Sequence, residues 1–126
     1  MIVVASVFAG LAALVHVYIF WLEAIAFGKG GYKVFGATAE DAQVMKPWAF
    51  NQGFYNLFLA IGTAVGVAIV HSDHAAGAAL IAFGCGSMLA AALVLIGSDR
   101  SKARAAVVQG LFPAVALVAA GVHGLS

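Results

Sequence analysis

Seven polar side chains stand out in a chain that is otherwise strongly apolar: His16, Glu23, Asn51, Gln52, Tyr55, Asn56 and Gln109. A carboxylate in apolar surroundings can serve as a counter-charge, a proton carrier or a general acid. An imidazole exchanges protons near neutral pH. Amides and a phenol bind polar solutes by hydrogen bonds. Together these groups can form a ligand or proton site, and none of them makes a recognisable catalytic set. His16 and Glu23 are seven residues apart, nearly two helical turns, so a helix would place both on one face. Asn51, Gln52, Tyr55 and Asn56 would span an arc of roughly 140°.

The elements that must carry these residues follow from composition. Of the 126 residues 64% are hydrophobic and only 9% charged, against about a quarter charged in ordinary soluble domains. A bilayer is the expected solvent. Four apolar segments, 2–27, 48–70, 75–97 and 105–125, each approach the ~20 residues that cross a ~30 Å hydrocarbon core. Helices satisfy their own backbone in lipid, and four strands cannot close a barrel. The expected fold is all-α: a single four-helix transmembrane bundle over residues 1–126. The N-terminus lacks a basic n-region, so its apolar run reads as a retained helix.

Lys29, Lys33 and Lys46 fall between the first two segments, and Arg100, Lys102 and Arg104 between the last two. All six basic residues thus share one side. The positive-inside rule makes that side cytoplasmic and puts both termini outside. Thr38-Ala39-Glu40-Asp41 has the form of a helix N-cap followed by acids. It predicts a short interfacial helix ending near Lys46, after which Pro47 opens the second transmembrane helix at its first position.

With that topology Glu23, Asn51, Gln52, Tyr55, Asn56 and Gln109 all lie in the cytoplasmic half, with His16 near the midplane. If their faces turn inward, they enclose a polar pocket open to the cytosol. Pro113 follows Gln109 by four residues and deprives its carbonyl of a helical donor. A plainer account is also available. Intramembrane polar residues often tie helix to helix, at ~0.6 kcal/mol per contact. Glu23 could also snorkel to the surface or pair with Lys46 or Arg104.

Other classes are disfavoured. A net charge of +1 offers no basic face for a nucleic acid. Cys85 is the single cysteine, so no intrachain disulfide can form. No glycine-rich phosphate loop, CxxC, GxSxG or HExxH motif is present, and no cofactor is implied. His71, Asp73, His74 and His123 gather at the outer side, but their spacing matches no metal motif. Small-residue stripes suit close packing in lipid: Gly62 with Gly66; Ala78, Ala82, Gly86 and Ala90; Ala106, Gly110 and Ala114; Ala116, Ala120 and Gly124. Packing within one bundle is the favoured reading, and a homodimer through one of these faces stays open.

Several blocks resemble the small bacterial integral membrane proteins grouped as domain of unknown function 1304. They are His16-Val17-Tyr18 to Leu22-Glu23, Val34-Phe35-Gly36, Asn51 through Ala60, and Gln109-Gly110-Leu111-Phe112-Pro113-Ala114. The family often has a glutamate before the histidine and a tyrosine in the third helix; here Val15 and the run Met88-Leu89-Ala90-Ala91-Ala92-Leu93 stand instead. The resemblance implies a multi-pass protein of the bacterial inner membrane and supplies no activity. The function expected from the residues is small-molecule binding or transport, with Glu23 as counter-charge or proton-coupling group and the lipid bilayer as the other partner. The alternatives are an intramembrane enzyme using His16 and Glu23 on a lipid-like substrate, and an accessory subunit whose polar residues are structural.

Overall fold

A computed structural model describes residues 1–125, with side chains as far as His123. Gly124 of the last small-residue stripe falls outside the residues whose burial is described. Helix α1 spans Ile2–Phe20 and continues into a π-helical turn, Trp21–Ile25. Two short 3₁₀ turns, Phe27–Lys29 and Gly31–Phe35, lead to α2, Ala39–Ile69. Helix α3 covers His74–Ser98, and a 3₁₀ turn, Arg100–Lys102, precedes α4, Ala103–Leu125. Four of these helices are long and apolar enough to cross a membrane. The all-α, four-helix expectation holds.

The helices run alternately up and down. Each packs on its neighbour in sequence and α4 closes on α1, whereas α1 and α3 barely touch. Small residues set this close arrangement. Ala5, Ala9 and Ala12 are fully buried along α1, and Ala9 and Ala12 cluster with Cys85, Met88 and Ala116 at the bundle centre. The side chain of Thr63 lies against Gly84, where an added Cβ would collide with its Oγ1. Such contacts let backbones approach where lipid offers no hydrophobic drive between helices.

Two expectations need correction. The segment from Thr38 to Lys46 is not a separate interfacial helix. It forms the first turns of one 31-residue helix in which Pro47 is internal. The cap itself is as expected. Thr38 Oγ1 accepts from the Asp41 N–H at 3.1 Å, and the Asp41 carboxylate accepts from the Thr38 N–H. At 1.5 Å per residue α2 is roughly 46 Å long, well beyond a ~30 Å core, so its first turns need not enter hydrocarbon. The third-helix stripe is also turned: Ala82 and Ala90 are exposed, while Gly77, Ile81, Gly84, Cys85, Met88 and Ala92 form the buried face.

Asp73 starts α3 by accepting from the Ala76 N–H at 3.1 Å. Asp99 ends it in an extended conformation, then accepts from the Ser101 N–H and hydroxyl. These bonds hold the Asp99 carboxyl below its ordinary range, with the Ser101 hydroxyl the largest influence. Lys102 donates through Nζ to the Phe35 carbonyl, fastening the first loop to the third.

Candidate functional site

The site begins where α1 stops being regular. In the π turn the Ala26 N–H donates to the Trp21 carbonyl, five residues back, at 2.8 Å. Such single turns inside α-helices are uncommon and frequent at functional sites. The chain then reverses at Gly30, whose φ of 110° suits glycine. Glu23 lies inside the π turn.

Helix α2 approaches this turn very closely. A Cβ on Gly53 would sit 3.0 Å from Ala24 Cβ and 3.1 Å from Glu23 Cβ. One turn further on, Asn56 Nδ2 donates to Glu23 Oε1 at 2.5 Å and shares its donors with the Gln52 carbonyl at 3.2 Å. Asn56 is only 5% exposed. The carboxylate is therefore held from behind by a buried amide, itself anchored to its own helix.

In front of Glu23 lies a cavity of about 420 Å³ that is open to the surface, with Gly28, Gln43, Lys46, Pro47 and Phe50 exposed around it. Phe27, Gln43, Lys46, Pro47 and Phe50 help line it. It sits at the basic end of the bundle, between the π turn and the first turns of α2. Pro47 has no N–H, so the carbonyl of Gln43 lacks its usual helical donor. Lys46 lies over Gly28, where an added Cβ would be 3.3 Å from Nζ.

Other expected site residues go elsewhere. Asn51, Gln52 and Tyr55 are exposed on the outer face of α2, so the inward-facing polar arc reduces to Asn56 and the Gln52 backbone. Gln109 is half-buried on α4. His16 is completely buried one layer deeper and is not a cavity residue. Its Nδ1 donates to the Ala12 carbonyl at 2.9 Å. Nε2 faces the interior without a partner. Thr63, seven residues beyond Asn56 as His16 is seven before Glu23, shares that layer; its hydroxyl also lacks a partner.

Sequence reasoning missed Gln43, Pro47 and Phe50 as cavity residues, and gave Lys46 no part in the site beyond pairing with Glu23. The signal was present: residues 43, 46, 47, 50 and 53 follow helical spacing along one face. Reading Pro47 as a helix start cut that face in two. At the opposite end the rings of His74 and His123 lie 5.7 Å apart, while Asp73 caps α3. Among the described residues, no three His, Cys, Asp or Glu side chains gather as a metal site.

The family described as "Protein of unknown function (DUF1304)" matches residues 10–120, a stretch that includes Glu23, Asn56 and the cavity. No curated protein and no solved structure matches the chain. With nearly the whole sequence matched and four helices long and apolar enough to cross a membrane, the chain belongs to the DUF1304 family.

Proposed function

We propose that the protein binds a small polar molecule in the cavity at the basic end of the bundle, with Glu23 as the recognition group. One observation carries the reading. Glu23 is hydrogen-bonded to buried Asn56 on one side and lines the cavity on the other. A polar group that only joined two helices would not also face a cavity of about 420 Å³. By the positive-inside rule the six Lys and Arg residues put this end in the cytoplasm, so the ligand enters from there.

Binding is favoured over the two other readings. Beyond Asn56 the interior is filled by Ala9, Ala12, Ile81, Cys85, Met88 and Ala116. Transport, in its proton-coupled form with Glu23 as carrier, would need these helices to repack into a second arrangement. Acid–base catalysis by His16 and Glu23 would need both at one substrate. They stand roughly 10 Å apart along the helix, and His16 is outside the cavity lining.

The test is a thermal-shift panel of small amines, zwitterions, anions and neutral polyols on the purified protein. Stabilisation by some member is expected, lost in Glu23→Gln and kept in Glu40→Gln, a change at the exposed start of α2. A panel in which every shift survives Glu23→Gln would sink the reading.

A further inference from the structure

We infer that the ligand is a zwitterion, with a primary ammonium seated on Glu23 and a phosphate or carboxylate seated on Lys46. The inference rests on the cavity being the binding site. Glu23 and Lys46, an acid and a base, line the same space, Glu23 half-buried and Lys46 on the exposed rim. Yet they form no ion pair; among the described residues Glu23 has Asn56 as its polar partner, and the Lys46 ammonium has none. An acid and a base that line one cavity without meeting leave a place for a molecule that carries the two complementary groups.

The polarity of the walls fixes the kind of cation. A primary ammonium has three N–H donors and needs about three acceptors. Glu23 supplies the carboxylate oxygen that Asn56 does not occupy. Gln43, on the same lining, would offer its side-chain oxygen, and its backbone carbonyl is left without a helical donor by Pro47. A quaternary ammonium would instead want several free aromatic faces. Phe27 is buried against Tyr32 and Phe35, which leaves Phe50 as the one open aromatic ring on the lining. Lys46 is a point charge suited to a phosphate or carboxylate.

The same chemistry has two sources. Ile25 and Phe50 are more than half exposed beside the cavity. The pocket can therefore take the headgroup of an aminophospholipid from the membrane or a free zwitterion from solution.

The experiment uses the whole chain in phosphatidylcholine nanodiscs, titrated calorimetrically with phosphoethanolamine, ethanolamine and ethyl phosphate. Folding of each variant is verified by circular dichroism and monodispersity. Phosphoethanolamine is expected to bind at least about tenfold more tightly than either half-molecule. Lys46→Gln should reduce it to the affinity of ethanolamine, and Glu23→Gln to that of ethyl phosphate. If ethanolamine binds as well as phosphoethanolamine, or Lys46→Gln changes nothing, the zwitterion inference fails while Glu23 recognition stands. If no probe depends on Glu23, both fail. Repeating the titration in phosphatidylethanolamine nanodiscs separates the sources: competition marks the lipid headgroup, and unchanged affinity marks the soluble molecule.

Discussion

Gly53→Ala is the most direct probe of how the site is held. The new methyl would lie 3.0 Å from Ala24 Cβ and from the Ala24 backbone nitrogen, and 3.1 Å from Glu23 Cβ. Carbon contacts are comfortable at ~3.5–4.0 Å. The neighbours are backbone and Cβ atoms, so relief requires α2 to move off the π turn by about half an ångström or more. Overpacking of this kind costs ~1–3 kcal/mol. Alanine in a helix returns ~0.5–1 kcal/mol over glycine. The net loss is therefore ~0–2.5 kcal/mol, up to a factor of about 70 in the unfolding equilibrium. Gly62→Ala is the matched control in the same helix, because nothing lies within 4 Å of its added Cβ. It should be neutral or stabilise by up to ~1 kcal/mol. Reversible unfolding in mixed micelles, titrated with denaturing detergent, measures both. Moving α2 also stretches the Asn56–Glu23 bond, so Gly53→Ala should weaken any Glu23-dependent ligand while Gly62→Ala does not. Equal stability changes in the two variants would refute the close approach of α2 to the π turn.

Further outcomes follow from single contacts. Thr38→Ala removes the cap on α2 and should cost ~0.5–2 kcal/mol, seen as faster amide exchange over the first turn. Lys102→Met cuts the tie to the Phe35 carbonyl and should expose the first loop to limited proteolysis at unchanged helix content. Asp99 has a folded pKa below its unfolded value, so its stabilisation is complete above the unfolded pKa. It falls away as pH drops through the folded one, below ~3.9. An NMR titration should place the Asp99 midpoint below the ordinary aspartate value, and Ser101→Ala should raise it towards that value. An unmoved midpoint would remove Ser101 as the cause.

The four helices were legible because apolar length alone sets them, and the Thr38 cap because its pattern is local. The rotation of each helix was not. Nearly every face of α1 and α3 is apolar, so periodicity cannot distinguish the side that meets a neighbour from the side that meets lipid. Gly62 and Gly66 show the consequence. They form one motif in sequence, yet Gly66 packs against Gly77 and Leu80 while Gly62 faces open space. The outward turn of Asn51, Gln52 and Tyr55 has the same origin. Asn56 was found by type and depth, but its bond to Glu23 depends on the π turn, which no local pattern announces. The cavity was hidden by Pro47: proline is favoured at a helix start, and only the observed continuation of α2 places Gln43 and Lys46 on the face of Gly53.

Pro47 therefore separates stability from function. It is the ninth residue of α2, inside a regular helix, where proline is less favourable than alanine by up to ~3 kcal/mol. Its exposed position before the main apolar run lowers that cost without removing it. In Pro47→Ala the new N–H can donate to the Gln43 carbonyl, closing the helical ladder. Stability should rise by ~1–3 kcal/mol in the detergent titration. The same bond occupies an acceptor that a bound ammonium would use, so affinity for phosphoethanolamine should fall. A variant that is both more stable and equally able to bind would show that the Gln43 carbonyl takes no part in recognition. A variant with unchanged stability would show that the helix has already relaxed around the proline ring. Higher stability with weaker binding is the outcome that ties the break in α2 to the cavity beside Glu23.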